Sequence, residues 1–169
     1  NNLNSIDCAL PLQNIVRTAA KKPKGIGVEL HLKYNSLGNA GVNEFLEAGV
    51  DIERLDISDF WLHAPIIVLD LCANGIGDAS GAKLLTALQR NQLLQRLDVS
   101  RNKLGLESGT AAATLLAIDS RPPNLRSFSI GFNALGTAAT LACIKNAFGS
   151  KSSINGSLDL SSIALSPSN

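Results

Sequence analysis

The sequence predicts an α/β solenoid, with a curved parallel sheet on its concave side and helices on its convex side. Three observations predict it. One short string recurs four times: LHLKYNSLG from Leu30, LDLCANGIG from Leu69, LDVSRNKLG from Leu97 and FSIGFNALG from Phe128, all close to L-x-L-x-x-N-x-L-G. Apolar and polar residues alternate inside each copy, as they must along a strand with one buried face. Between the copies lie segments whose apolar residues return with helical spacing.

Taken in order, LQNIVRTAA near the start reads as a helix, and the copy at Leu30 is the first clear strand, followed by a further helix. LDISDF from Leu55 is a partial copy. After the copy at Leu69, ASGAKLLTALQRN places Ala82, Leu85 and Leu88 on one side of a helix. GTAAATLLAI follows the copy at Leu97, and TAATLACIKNAF follows the copy at Phe128. LDLSSIAL from Leu158 closes the series, with Ile163 where the other copies carry Asn. Start-to-start spacings are 25, 14, 28, 31 and 30 residues. The spacing of 14 is too short for a strand, a return segment and a second strand, which need roughly 20 residues or more. Either one strand stands outside the regular stack, or residues are missing from the chain there; residues 59–67 are expected to be irregular. Phe60 and Trp61, with Pro65 close by, would cover an opened core edge or form a plain loop.

Within a copy, alternation sends Leu97 and Val99 inward and turns Asp98 and Ser100 to the concave face. The Asn is the exception, a polar residue on the buried side. Where the chain leaves the sheet, its backbone N–H and C=O groups lose their ladder partners, and each costs about 1 to 3 kcal/mol if buried unpaired. An inward amide both donates and accepts, so Asn35, Asn74, Asn102 and Asn133 are expected to stack as a ladder that satisfies these turns. Gly38, Gly77, Gly105 and Gly136 are expected to make the tight turns into the helices.

These strings resemble leucine-rich repeats of the ribonuclease-inhibitor type, whose longer repeats of about 28 residues carry a full helix. The resemblance spans nearly the whole chain and implies a single domain over residues 1–169, with five to six repeats stacked on one another. GVELHLKYNSLG, followed by a helix and IERLDISD, looks most like the repeat region of CARMIL proteins, large cytoskeletal scaffolds. That likeness implies a non-enzymatic, cytoplasmic scaffold whose parent protein engages actin capping protein or myosin I. Ran GTPase-activating proteins and the ligand-sensing ends of nucleotide-regulated immune receptors also use such repeats and stay open as alternatives.

Composition narrows the chemistry. With 45% hydrophobic residues, the chain has enough apolar surface for one sizeable core. Lys plus Arg total 15 against 14 for Asp plus Glu, so no global charge draws the chain to nucleic acid or an anionic membrane. No apolar run reaches the roughly 20 residues of a membrane span. Cys8, Cys72 and Cys143 lie far apart, which fits neither a disulfide framework nor a zinc knuckle and favours a reducing compartment. The chain starts at Asn1 and contains no Met, so it is expected to be a fragment of a longer solenoid, with bare ends prone to self-association.

Candidate sites follow from the repeat frame. LDLCANGIGDASGAK, with Gly75, Gly77, Gly81 and Lys83, suggests a phosphate loop, but it lacks the Gly-Lys-Ser/Thr ending, and NKLGLESGTA fills the same frame without the first glycine or the lysine. No cofactor is expected. His31 and His63 form no H-x-x-x-H pair, and no cysteine or carboxylate cluster completes a metal set. No nucleophile-elbow motif supports catalysis. The concave face is the candidate partner surface. One column contains His31, Asp56, Asp70, Asp98, Ser129 and Asp159, and the next contains Lys33, Ser58, Cys72, Ser100, Gly131 and Ser161. Aspartates about 4.8 Å apart repel unless compensated, and Arg54 and Arg96 are placed to help, with a basic partner supplying the rest. Along the ascending edge, Tyr34, Asp59, Ala73, Arg101, Phe132 and Ser162 flank the ladder; Tyr34 and Phe132 are aromatic where the repeat requires no burial, a favoured property of contact residues.

Overall fold

The computed structural model describes residues 27–47, 64–89, 91–117, 119–149 and 156–161, together with Pro11, Asn14, Ile15 and Thr18, which are helical. Five strands lie in one sheet: β1 (Val28–His31), β2 (Ile66–Asp70), β3 (Arg96–Asp98), β4 (Ser127–Ser129) and β5 (Ser157–Asp159). Four helices alternate with them: α1 (Gly38–Glu47), α2 (Asp78–Ala87), α3 (Leu106–Leu116) and α4 (Thr137–Phe148). The sheet order is β1-β2-β3-β4-β5 and every pairing is parallel. Each strand therefore needs a crossover before the next, and the helices supply it. This is the α/β architecture that the recurring string implied.

The register shows why the string recurs. Leu30, Leu69, Leu97, Phe128 and Leu158 are partners across successive strands. The first four are buried and Leu158 is half-buried. Each buried side chain of this size contributes about 1.5 to 3 kcal/mol relative to exposure. Leu37, Ile76, Leu104 and Leu135, the residues before the repeat glycines, close the same core from the turn side.

Small residues let the helices approach the core and one another. α3 buries Ser108, Gly109, Ala112 and Ala113, and α4 buries Ala139, Cys143 and Ala147. A side chain at Gly81 in α2 would stand 2.3 Å from Leu104 and 2.7 Å from the Ser108 hydroxyl. The outer side of α4 differs, because Leu141, Ile144 and Phe148 are exposed.

The structure corrects three expectations. β1 pairs directly with β2, and His31 stands opposite Asp70, where the expected column set Asp56 next to His31. β2 begins at Ile66, inside the stretch expected to be irregular. Ser100, Cys72 and Gly131 are buried rather than presented to the concave face, because the chain is already turning inward there. Of the four repeat glycines, Gly38 and Gly136 have positive φ, whereas Gly77 and Gly105 have ordinary φ of −84° and −121°.

Candidate interaction surface

The surface is built on two hydrogen-bond systems. Past each strand the parallel ladder runs on: Tyr34 N–H donates to Cys72 C=O at 2.9 Å, Ala73 to Ser100 at 3.0 Å, Arg101 to Gly131 at 3.0 Å and Phe132 to Ser161 at 2.7 Å. These four donors share one unusual backbone state. Tyr34, Ala73, Arg101 and Phe132 all have φ of 55° to 56°, and none is glycine. A left-handed residue with a Cβ costs roughly 1 to 2 kcal/mol, and here it turns the chain out of the sheet so that the following Asn points inward.

The amides join the coils. Asn102 Oδ1 accepts from the N–H groups of Asn74 (3.0 Å) and Ile76 (3.1 Å), and its Nδ2 donates to Leu71, Val99 and Ser100 carbonyls at 2.9 to 3.0 Å. Asn133 does the same one coil on, accepting from Asn102 and Leu104 N–H at 3.1 Å. Asn74 donates to Leu32 C=O at 2.8 Å, and its Oδ1 lies 3.4 Å from Leu37 N. Asn35 donates within its own turn, and its buried Oδ1 has no partner among the described residues.

On the concave face, His31, Asp70, Asp98, Ser129 and Asp159 occupy one register row. Three of the carboxylates serve the chain itself. Asp70 accepts from Cys72 N–H at 3.1 Å, Asp98 from Ser100 N–H at 2.9 Å and its hydroxyl at 2.6 Å, and Asp159 from Ser161 N–H at 2.9 Å. The Ser161 N–H and hydroxyl hold the Asp159 carboxyl below its usual range, outweighing burial, with help from the Ser129 hydroxyl at 3.0 Å. An aspartate two residues before the turn thus fastens the strand end, which gives the D-x-S string a structural role. Arg96 forms no ion pair with Asp70 or Asp98 among the described residues; it lies with them around a shallow hollow of about 60 Å³. His31 Nε2 lies 3.1 Å from Glu29 Oε2, with no group of metal-ligating side chains among the described residues.

The turn edge is more open. Tyr34 is 66% exposed and Phe132 41%. The Arg101 guanidinium sits 4.0 Å above the centre of the Phe132 ring, a cation–π contact between neighbouring coils. Arg54, Asp56, Ser58, Asp59, Phe60, Trp61, His63, Ser162 and Ile163 lie outside the described residues.

Two polar residues with clear roles were not singled out by the repeat frame. Asn39 Oδ1 accepts from Gly77 N–H at 2.6 Å at the start of α2. Asp78 accepts from the N–H groups of Gly105 (2.9 Å), Glu107 (3.1 Å) and Ser108 (2.7 Å) at the start of α3. Each caps the helix of the following coil. Burial pushes the Asp78 carboxyl up, but hydrogen bonds from Ser108, Gly105 and Glu107 together bring it below its usual value. Their signal was present, since both follow the repeat glycine directly. These bonds also account for the glycine-rich string at Gly75 to Lys83: the Gly77 N–H is taken by Asn39, and Gly81 packs against α3.

A family model described as Leucine Rich repeat matches residues 90–111, which take in β3, Asn102 and the start of α3. No curated protein matches the chain. No helix among the described residues is long and apolar enough to cross a membrane.

Proposed function

We propose that this chain is a scaffold module that binds protein partners without catalysing a reaction, and that it works in the cytoplasm as part of an actin-associated assembly. The leucine-rich repeat fold supports the general statement, since stacked repeats of this kind present extended surfaces for protein contacts. The likeness of GVELHLKYNSLG and IERLDISD to CARMIL repeats supports the cytoskeletal setting, with actin capping protein or myosin I as partners of the parent protein.

One observation carries the reading. The turns at residues 32–37, 71–77 and 99–105 are each held by both ladders, so the exposed side chains of the strand column and turn edge stand at fixed spacings of about 4.8 Å. A surface ordered before binding loses little entropy on association. The contact residues proposed are His31, Asp70, Arg96, Asp98 and Asp159 on the strands, and Lys33, Tyr34, Arg101 and Phe132 at the turns; Arg54 and Asp56 are added from the sequence alone.

The test is affinity capture from cytosolic extract, with partners identified by mass spectrometry and then titrated in purified form. Arg96→Glu is the cleanest strand-face variant, because Asp98 also holds Ser100 in place. Loss of the captured partner with Arg96→Glu, or with Asp70→Lys and Asp98→Lys together, is expected. Unchanged affinity in both variants would remove the strand face from the contact. Stimulation of Ran GTPase by the purified chain would replace this reading with that of a GTPase regulator.

A further inference from the structure

Charge is sorted along this solenoid in a way that its near-zero total conceals. The described strand residues facing the concave side include Glu29, Asp70, Asp98 and Asp159 against Arg96. The turns show the reverse. Residues 32–37, 71–77, 99–105 and 130–136 contain Lys33, Arg101 and Lys103 and no acidic residue at all. All three cations are exposed. The same edge holds the two exposed aromatic rings of the turns, Tyr34 and Phe132.

An open groove of about 540 Å³ lies between the third and fourth turns, lined by residues that include Lys103, Leu104, Phe132 and Ala134. Its lining, with Lys103 as its one cation, is braced by Asn133, which joins the two turns that form it. Arg101 reinforces this by lying on the Phe132 ring. A guanidinium stacked on an aromatic face keeps its edge N–H groups free for a carboxylate.

We propose that this turn edge docks an acidic segment of a protein partner, with carboxylates on Lys33, Arg101 and Lys103 and one bulky apolar side chain in the groove beside Phe132. The proposal rests on the interaction-module reading and names the chemistry of the partner. From Tyr34 to Phe132 the edge crosses three strand spacings, about 14 Å, which an extended peptide covers with roughly four residues at 3.3 Å each. Nucleic acid fits less well. The edge offers three cations, and one face of the Phe132 ring is already covered by Arg101, which blocks a base from stacking there.

The test uses the whole chain, labelled with nitrogen-15, and a synthetic Glu-rich peptide carrying a single Phe. Amide shift changes are expected at Tyr34, Arg101, Lys103 and Phe132, weakening as salt rises. Arg101→Glu with Lys103→Glu should weaken binding by roughly tenfold or more. Lys83→Glu with Lys145→Glu changes net charge equally on the helical side and should leave binding unchanged. Circular dichroism checks that the variants stay folded, and Phe132→Ala separates loss of the groove from loss of charge. Equal binding of a peptide with Lys in place of Glu, tighter binding of a single-stranded oligonucleotide, or no binding at all would overturn the proposal. Shifts confined to His31, Arg96 and Asp98 would overturn it too, while leaving the module reading intact; failure of the capture experiment tests that reading separately.

Discussion

Replacing Asn102 by Ala should cost far more stability than replacing Asn35 by Ala, although both occupy the same place in the repeat. Among the described residues, Asn102 is the only hydrogen-bond partner of three backbone groups: the N–H of Asn74, the N–H of Ile76 and the C=O of Leu71. The other two carbonyls it contacts keep partners, since Val99 C=O also accepts from Asn133 and Ser100 C=O from Ala73. Three orphaned groups at about 1 to 3 kcal/mol each give about 3 to 9 kcal/mol. Asn102 is half-buried, so water reaches part of the gap and the low end, about 3 to 5 kcal/mol, is expected. Asn35 gives a different sum. Its Oδ1 has no partner among the described residues, and Leu32 C=O keeps its bond from Asn74 when the Asn35 amide goes. The cost there should be about 1 kcal/mol or less. Urea unfolding followed by circular dichroism measures both, with the slope checked for two-state behaviour. Should Asn102→Ala prove too unstable to measure, Asn102→Asp serves. It keeps the acceptor but turns a carboxylate towards three carbonyls, so it should gain stability relative to the parent as pH falls. Equal costs at positions 35 and 102 would refute the argument that the amides act between coils.

Two further outcomes follow from single groups. Hydrogen bonds hold the Asp78 carboxyl below its usual pKa, so its stabilisation is fully present above the unfolded value of about 3.9 and is lost as pH falls through the lower folded value. Asp78→Asn should cost about 1 kcal/mol at neutral pH as a weakened cap and shrink to nothing in acid; unfolding curves of the two proteins between neutral pH and strong acid would show the convergence, and a constant gap would contradict it. Burial raises the Cys143 thiol from 9.0 to about 11, so the native thiol should resist maleimide at mildly alkaline pH and react only on unfolding. The raised value also means that stability present below the unfolded pKa falls as pH rises through the folded one. Rapid native labelling of Cys143, located by mass spectrometry, would contradict its burial.

Much of the fold is legible in the string itself. LDVSRNKLG states which residues face the core, where the strand ends and where the helix begins, because alternation and helical spacing are local properties of the chain. The helix expected at TAATLACIKNAF coincides with Thr137–Phe148. The candidate surface was legible only in part. Asp98 and Ser100 follow the alternation on paper, yet Ser100 is buried and bonded to Asp98, since the turn starts one residue earlier than a regular strand would allow. The caps by Asn39 and Asp78 reach forward 38 and 27 residues to Gly77 and Gly105, and no local pattern predicts such a contact.

The sequence by itself determined the repeating unit: a strand with one apolar face, an inward amide, a glycine and a helix lined with small residues. Those features follow from what each residue type can bury or hydrogen-bond, whatever its distant neighbours are. Only the tertiary structure decided that β1 pairs with β2 across 39 residues, that Tyr34, Ala73, Arg101 and Phe132 turn left-handed and that Arg101 lies on Phe132. Nothing in those side chains favours positive φ. The stacked coils impose it, because each N–H finds its carbonyl in the next coil only when the backbone turns that way.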